Sequence, residues 1–217
     1  MAQLFGSAAV LAVKLTGIAA VVLAAVALLA WHSAIAARPS PGAPVQQPLP
    51  FSHKHHAGDD GIDCRYCHAS VEQAAFAGMP SLHTCMSCHS QLYADAPVLQ
   101  QLRAAFSGTQ PLAWRRVDDL PGFVYFDHSI HVNKGVGCST CHGEVDRMPL
   151  TWRVAPLSMQ WCIDCHRAPE AQLRPQAQIY DMRWRPPADQ PARGAQLHTA
   201  YAIHSTRLLT ACSTCHR

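Results

Sequence analysis

All ten cysteines of this 217-residue sequence lie in five copies of one motif, Cys-x-x-Cys-His. Two cysteines three residues apart can each form a thioether bond to one vinyl group of a porphyrin, and the histidine that follows then lies under the iron as its proximal ligand. The five motifs therefore predict five covalently bound haem c groups, numbered here in chain order. The predicted attachment residues are Cys64 and Cys67, Cys85 and Cys88, Cys138 and Cys141, Cys162 and Cys165, and Cys212 and Cys215. The predicted proximal iron ligands are His68, His89, His142, His166 and His216.

Other uses of paired cysteines fit this pattern poorly. A zinc ribbon needs two Cys-x-x-Cys knuckles for each four-coordinate metal ion, whereas this chain has an odd number of knuckles and a histidine after each one. A disulfide framework gives no reason for that histidine. A thioredoxin-like motif belongs to a βαβ unit, and the sequence pattern contains none. The cysteines therefore favour a multihaem c-type cytochrome.

The N-terminal region determines where the haem-bearing region lies in the cell. Residues 7–31 are apolar and contain one charged residue, Lys14. A helix of that length can cross a hydrocarbon core about 30 Å thick. Haem c is attached outside the bacterial cytoplasmic membrane, so we expect residues 1–37 to form a single-pass anchor with the haem domain in the periplasm. The alternative is a cleaved signal peptide, for which the Ala-x-Ala sequence at 34–36 would be an acceptable cleavage site. Residues 38–50, with five prolines, predict an extended linker.

The sequence after the linker contains an internal repeat. The pattern Phe-x-His-x-x-His occurs at 51–56 and at 126–131, and each copy precedes a Cys-x-x-Cys-His motif, a Met-Pro pair and a second motif. The repeat predicts two dihaem modules, residues 51–110 and 111–170, and a C-terminal segment with the fifth haem, residues 171–217.

Secondary structure is predicted to be sparse. One helix is expected between haems 2 and 3, where Asp95 could cap it, Pro97 suits its first turn, Leu102 lies on its apolar face and Gly108 ends it. Elsewhere we expect short helices and loops wrapped around five haems. Residues 51–217 give about 33 residues per haem in a globule with a radius of gyration of about 15 Å, so the haems must lie close enough for electron transfer.

The distal ligands are predicted from a resemblance. The Phe-x-His-x-x-His layout ahead of a haem motif resembles the small multihaem cytochromes of the c3 and c7 type. That resemblance implies that His53 closes haem 1 and His128 closes haem 3. It implies that His56 and His131 each close another haem, without indicating which one.

The fifth distal ligand is left open. Met148, in the repeated Met-Pro position, is the first choice, and Met159, Met182 and His204 are the alternatives. A thioether ligand would raise the potential of that haem above the potentials of the bis-histidine haems.

Five longer runs are more specific: GIDCRYCH, AGMPSLHTCMSCHS, LPGFVYFDHSIHVNKGVGCSTCHGEVDRMPL, SMQWCIDCHR and LLTACSTCHR. They resemble the pentahaem cytochrome c subunit of bacterial alternative complex III, over nearly the whole chain. The resemblance implies a relay that takes electrons from quinol-oxidising integral-membrane subunits and an iron–sulfur subunit. The relay would deliver them to a monohaem cytochrome c subunit, a soluble carrier or a terminal oxidase, and no substrate site is expected on this chain.

Other functional classes remain as alternatives. A membrane-anchored multihaem quinol dehydrogenase feeding a periplasmic reductase would oxidise quinol itself. This chain has a single predicted anchor helix and no acidic cluster at the end of that helix, which does not favour a quinol site. A multihaem reductase needs an open iron, often marked by lysine in place of the motif histidine, and all five motifs here end in histidine. A nucleic-acid partner is not expected, because the net charge is only +3.

Overall fold

The computed structural model describes residues 6–36, 41–108 and 112–216. The chain divides into two compact units, Met1–Ser40 and Pro41–Arg217. The predicted boundaries at 37/38 and 110/111 lie outside the described residues, as does the beginning of the predicted linker at 38–40. The α-helices of the described residues are α1 (Ser7–Ala36), α2 (Cys64–Cys67), α3 (Leu82–His89), α4 (Gln100–Ser107), α5 (His128–Asn133), α6 (Cys138–His142), α7 (Met159–Arg167), α8 (Gln190–Ala200), α9 (Thr206–Leu209) and α10 (Cys212–Cys215).

Helix α1 is the long apolar element that the sequence predicts. Its 30 residues span about 45 Å at the usual rise of an α-helix. Within it, Ser7–Ser33 has a mean hydropathy of 2.4, which is long and apolar enough to cross a membrane. A signal sequence near an N-terminus has the same properties, so length and composition alone do not separate these two roles.

The second unit contains short helices and loops, as expected. One π-helical segment covers Lys54–Asp59, and the 3₁₀ segments are Pro97–Leu99, Val145–Arg147, Pro169–Ala171 and Gln176–Gln178. The described residues form no β-sheet, and their extended pairs are isolated bridges, Pro44 with Trp152, Val124 with His216, and Val136 with Leu173.

Small polar residues begin several of the helices that carry predicted haem residues. Ser81 accepts a hydrogen bond from the backbone N–H of Thr84 at the start of α3, and Ser158 accepts one from Trp161 at the start of α7. Asp63 caps α2 in the same way. Such caps satisfy backbone donors that a short helix cannot satisfy internally.

The predicted helix between haems 2 and 3 is confirmed, with one error at its start. Pro97 opens a 3₁₀ turn that continues into α4, and Gly108 follows the last helical residue. Asp95 is not the cap, because the 3₁₀ turn begins after Ala96 and has no side-chain cap. Leu102 is the buried residue of α4.

The protein core of the second unit is small. Val71, Val132 and Ile179 form a buried cluster, and Cys138 and Tyr180 pack against it. Val71 comes from the first predicted module and Val132 from the second, so this cluster joins them. A core of this size agrees with the expectation that protein side chains alone do not fill the interior.

Candidate haem centres

Each Cys-x-x-Cys-His motif forms a tight helical turn. In motif 1 the backbone N–H of His68 donates to the carbonyl of Cys64 at 2.9 Å, and in motif 5 His216 donates to Cys212 at 2.9 Å. Helix α7 carries the whole of motif 4. Cysteines three residues apart lie on the same side of such a turn, which is the arrangement that two thioether bonds to one porphyrin require. None of the ten cysteines, all of which lie in the described residues, is paired in a disulfide bond.

Four of the five motif histidines face a second imidazole ring. In each case the facing ring belongs to one of the four distal histidines predicted from the sequence. The structure also shows which motif His56 and His131 face, a point that the sequence leaves open. The ring centroids are 6.4 Å apart for His53 and His68, 6.0 Å for His56 and His89, 6.3 Å for His128 and His142, and 6.1 Å for His131 and His166.

These separations fit a metal ion between each pair of rings. A metal–imidazole nitrogen bond is about 2.0–2.1 Å long, and the ring nitrogen lies about 1.1 Å from the ring centroid, so two imidazoles on opposite sides of one ion have centroids about 6.2–6.4 Å apart. The four observed distances lie between 6.0 and 6.4 Å. The ring pairs therefore have the spacing of bis-histidine haem iron, with one ring of each pair next to its own two attachment cysteines.

Hydrogen bonds hold every one of these rings in the tautomer that binds metal. In all four pairs, and in His216, the Nδ1 atom lies against an oxygen acceptor, which leaves the Nε2 lone pair free for an iron. The proximal contacts are His68 to Gly78 O at 2.8 Å, His89 to Leu92 O at 3.1 Å, His142 to Asp118 Oδ2 at 2.8 Å, His166 to Leu209 O at 2.9 Å and His216 to Phe123 O at 3.2 Å. The distal contacts are His53 to Thr151 Oγ1 at 2.9 Å, His56 to Ser52 O at 2.9 Å, His128 to Ala75 O at 2.9 Å and His131 to Asp127 O at 2.7 Å.

The repeated phenylalanine positions the distal rings. The ring of Phe51 stacks on His56 at 4.5 Å and meets His53 edge-on at 4.9 Å. Phe126 repeats this arrangement with His131 and His128, at 4.5 and 4.8 Å. The sequence repeat is therefore also a repeat of side-chain geometry, in which one aromatic ring orients two imidazoles that diverge to two different motifs.

Burial favours the neutral form of three distal imidazoles, those of His53, His128 and His131, and the neutral form is the one that binds a metal ion. Burial, together with the neighbouring His68, His56 and His142, lowers the pKa of His53 to about 4. Burial is also the main cause that lowers the pKa values of His128 and His131.

Contacts between neighbouring sites place them in a row that differs from chain order. Sites 1 and 2 are joined by the hydroxyls of Tyr66 and Ser87, 2.9 Å apart, one in each motif. Sites 1 and 3 are joined because Thr151, from the second module, holds His53, and Ala75, from the first module, holds His128.

The other half of the row continues from site 3. His128 and His131 lie three residues apart on α5, which places the histidines facing motifs 3 and 4 on one helix face. Site 4 meets site 5 because the carbonyl of Leu209, just ahead of motif 5, accepts from His166. Neighbouring contacts therefore give the order 2, 1, 3, 4, 5.

The fifth site contains one imidazole among the described residues, that of the motif histidine His216. The backbone N–H of Tyr125 donates to Cys215 O at 2.8 Å, and the ring of His216 lies 5.9 Å from Phe123. Among the described residues no second imidazole faces His216 as His53 faces His68. His204, one of the predicted alternatives, is exposed.

The three methionine candidates differ in burial. Met148 is 2% exposed and Met182 is 8% exposed, and both line an open groove of about 590 Å³ with Trp152 and Trp184. No motif histidine is among the described residues that line this groove. Met159 is 66% exposed at the beginning of α7, the helix that carries motif 4, and α7 packs against α9, which lies just ahead of motif 5.

Other histidines lie outside the paired set. His55 approaches Asp60 at 3.6 Å, His198 approaches Glu170 at 3.7 Å, and the ring of His83 lies 4.9 Å from Phe106. In the part of the chain that is described, no group of three or more His, Cys, Asp or Glu side chains converges as a site for a metal ion held by protein ligands alone.

Sequence reasoning misses several residues that support the sites. Asp118 and Thr151 hold two predicted ligand histidines, His142 and His53, through side-chain contacts that span 24 and 98 residues, and no local pattern marks them. Arg174 is fully buried and donates to the hydroxyls of Ser139 and Thr140, the two middle residues of motif 3.

Comparison with known proteins agrees with this geometry. The family model for class III cytochromes c matches residues 32–114, and the model for cytochrome c7 and related cytochromes c matches residues 124–217. The chain is a multihaem cytochrome c. Together the two matches contain all five motifs of the cytochrome, and both families imply covalently bound haem c.

One relative of the cytochrome is described as the multihaem cytochrome c subunit of menaquinone reductase, from Nitratidesulfovibrio vulgaris (strain Hildenborough). It is 36% identical over 99 residues, which is 45% of this chain and 46% of the relative. The chain thus spans less than half the length of the curated relative that it matches.

Proposed function

We propose that this cytochrome is a pentahaem electron relay, anchored in the bacterial cytoplasmic membrane, within a quinone-linked oxidoreductase. Cysteines of the five motifs bind five haem c groups covalently, and the motif histidines are the proximal ligands. His53, His56, His128 and His131 are the distal ligands of haems 1, 2, 3 and 4, in that order.

One observation carries this proposal: four imidazole pairs have the spacing of bis-histidine iron, and their Nδ1 atoms are all occupied by oxygen acceptors. Bound haem supplies a one-electron couple at each site. An iron with two imidazole ligands has no open position for a substrate, so the protein's own residues serve to hold each couple and exclude other ligands.

The contacts between sites support a relay in the order 2, 1, 3, 4, 5. Haems 2 and 5 then lie at the ends, where electrons enter and leave. The intervening sites share α5, the buried cluster around Val132, and the exchanged contacts of Thr151 and Ala75. These contacts fix the spacing on which electron transfer depends.

The length and apolar character of α1 support its role as an uncleaved anchor, with the haem domain in the periplasm. The partners we propose are those of alternative complex III: quinol-oxidising integral-membrane subunits, an iron–sulfur subunit, and a monohaem cytochrome c subunit or terminal oxidase as acceptor. Support comes from the sequence runs that resemble that family.

The fifth distal ligand is revised from the first choice of the sequence. Met148 is buried by protein atoms in a groove without a motif histidine. Met159 is exposed and begins α7, the helix that packs against α9 just ahead of motif 5, so its side chain has free space on an element that adjoins the fifth site. We therefore propose Met159 as the distal ligand of haem 5.

The matched relative favours a second candidate, a relay that works in the opposite direction. Its printed name is a menaquinone reductase subunit, in which electrons flow to the quinone. The site geometry of this chain is the same for both directions, so the potentials of the haems and of the partners decide between them.

The test is purification of the intact membrane complex in mild detergent, followed by a pyridine haemochrome assay and mass spectrometry of the co-purifying subunits. We expect five covalent haems per copy of this chain, together with an iron–sulfur subunit and integral-membrane subunits. Fewer than four haems would contradict the ligand assignments.

Direction is measured on the same preparation. Reduction of the haems by a quinol analogue, followed by electron transfer to an oxidised monohaem cytochrome c, would support the alternative complex III assignment. Haem oxidation by added menaquinone analogue, without quinol-driven reduction, would support the quinone reductase instead.

A further inference from the structure

One of the nine paired or motif imidazoles differs from the others in its hydrogen-bond acceptor. Eight of these Nδ1 atoms contact neutral oxygens, which are backbone carbonyls or the hydroxyl of Thr151. The proximal histidine of site 3, His142, instead donates to the carboxylate of Asp118 at 2.8 Å.

The charge of this carboxylate is directed at the imidazole. The side chain of Asp118 is 19% exposed, and its other oxygen, Oδ1, is buried and accepts no hydrogen bond from the described residues. The nearby Arg116 pairs with the adjacent Asp119 at 3.2 Å. His142 is therefore the hydrogen-bonding partner that the structure shows for Asp118.

We propose that Asp118 is a positioning residue that gives haem 3 the lowest reduction potential of the five haems. The inference rests on the proposed function, because it requires haem 3 to be bound between His142 and His128. A carboxylate acceptor makes the imidazole a stronger electron donor than a carbonyl acceptor does, and a stronger donor stabilises ferric iron. The negative charge beside the ligand acts in the same direction.

The position of haem 3 gives this difference a role. In the row 2, 1, 3, 4, 5, haem 3 is the middle member. A low-potential haem at that point leaves electrons resting on the pair 1 and 2 or on the pair 4 and 5. Asp118 thereby divides the relay into two halves. Electrons cross haem 3 between these halves but do not reside on it.

The test is an Asp118→Asn variant of the full-length cytochrome in its complex. Asparagine keeps an oxygen that accepts from His142 Nδ1 but removes the charge. Spectroelectrochemical titration should show the lowest of the five midpoint potentials moving upward while the other four stay in place. Haem content should remain five.

Asp119→Asn is the matched control. Asp119 is 63% exposed, pairs with Arg116 and is the next residue in the chain, so this variant removes the same charge without touching His142. It should leave all five potentials unchanged. An equal shift of the lowest midpoint potential in both variants would mean that net charge alone causes it, and would overturn the inference.

A second readout separates electronic tuning from mere support of the fold. Low-spin ferric signals in the electron paramagnetic resonance spectrum report the donor strength of axial ligands, and one of them should change in Asp118→Asn alone. Asp118→Glu, which keeps a carboxylate, should retain the low potential of that haem.

The outcomes distinguish this inference from the proposed function. If the wild type lacks a haem at motif 3, the proposed function fails. If five haems are present and Asp118→Asn moves no potential, or moves one other than the lowest, the proposed function stands and this inference is wrong. If Asp118→Asn loses haem 3, Asp118→Glu decides, since a raised potential there also overturns it.

Discussion

A threonine hydroxyl holds the imidazole of His53 from 98 positions away in the sequence. With Nε2 directed to an iron, the Nδ1–H of His53 must donate, and the Oγ1 of Thr151 is its acceptor. The proposed axial ligand sets are thus supported partly by residues that lie outside any motif. The hydrogen-bond partner of each histidine, as much as the histidine itself, fixes the ring that the iron meets.

Replacing Thr151 with valine should leave haem content at five but weaken the fold. Valine has a similar shape and no hydroxyl, so the Nδ1–H of His53 loses its acceptor, and an unsatisfied buried donor costs about 1–3 kcal/mol. The free energy of unfolding should fall by that amount in guanidinium titrations followed at the Soret band. Thr199→Val is the control, because Thr199 is exposed and its hydroxyl bonds only to a carbonyl of its own helix.

The fifth ligand gives a second test at this scale. A haem with a thioether ligand shows a weak sulfur-to-iron absorption band at the red end of the ferric spectrum. Met159→Leu should abolish this band and lower one midpoint potential, whereas Met148→Leu should keep it. Loss of the band only in Met148→Leu would restore the first prediction from the sequence. A wild type without the band, whose reduced form binds CO, would indicate an open iron.

At the residue scale, the five-residue motifs predict the attachment cysteines and proximal histidines, and the resemblance to the c3 and c7 cytochromes predicts the four distal histidines. In the structure each of these four faces a motif histidine. The partner of each distal histidine, and the roles of Asp118 and Thr151, depend on contacts between distant segments. The burial of Met148 is likewise not indicated by the sequence, and its role as a distal ligand stays a prediction.

At the scale of elements, the position of motif 3 is fixed by the close packing of its helix, α6, against Arg174. Arg174 donates to both middle residues of the motif and lies over the ring of Trp184 at 4.1 Å. Gly137, just before α6, makes room for that guanidinium group, which a Cβ atom would overlap. A buried arginine thus takes the place that apolar side chains usually fill behind a helix.

Gly143 directly follows the ligand His142 and has a φ angle of +67°, which only glycine adopts easily. Gly143→Ala should destabilise the haem-loaded protein by about 1–3 kcal/mol, because the backbone is strained and the new Cβ would crowd Val154. Thermal unfolding followed at the Soret band measures this. Gly122→Ala should have little effect, since Gly122 has open space around its Cβ position. Equal stability of the two variants would contradict the strain argument.

The elements themselves were partly predictable. The helix at 97–107 follows from its apolar spacing and its proline, both of which act locally. Its N-terminal cap was predicted wrongly. Asp95 is not the cap, because the 3₁₀ turn begins at Pro97, one residue later than expected. The short helices of the motifs follow from the attachment geometry rather than from helix propensity.

Over the whole molecule, the order of the sites could not be read from the sequence. The sequence repeat predicts two dihaem modules in succession, 51–110 and 111–170, without indicating how they contact each other. The structure instead joins site 1 to site 3 through contacts exchanged between the repeats, which moves site 2 to one end of the row. In the proposed relay, electrons then enter and leave at haems 2 and 5, a pairing that the sequence repeat does not indicate.

The exchanged contacts also constrain how the protein matures. With α1 as the proposed anchor, the segment that follows it crosses the membrane in chain order, and motifs 1 and 2 reach the periplasm before Thr151 does. We therefore expect the first haems to be bonded to their cysteines before the residue that orients His53 is available. Similarly, His128 is held only once it reaches Ala75, which arrived earlier. In the proposed pentahaem protein, the thioether bonds thus keep the haems on the chain while their axial ligand sets are incomplete, and folding completes those sets afterwards.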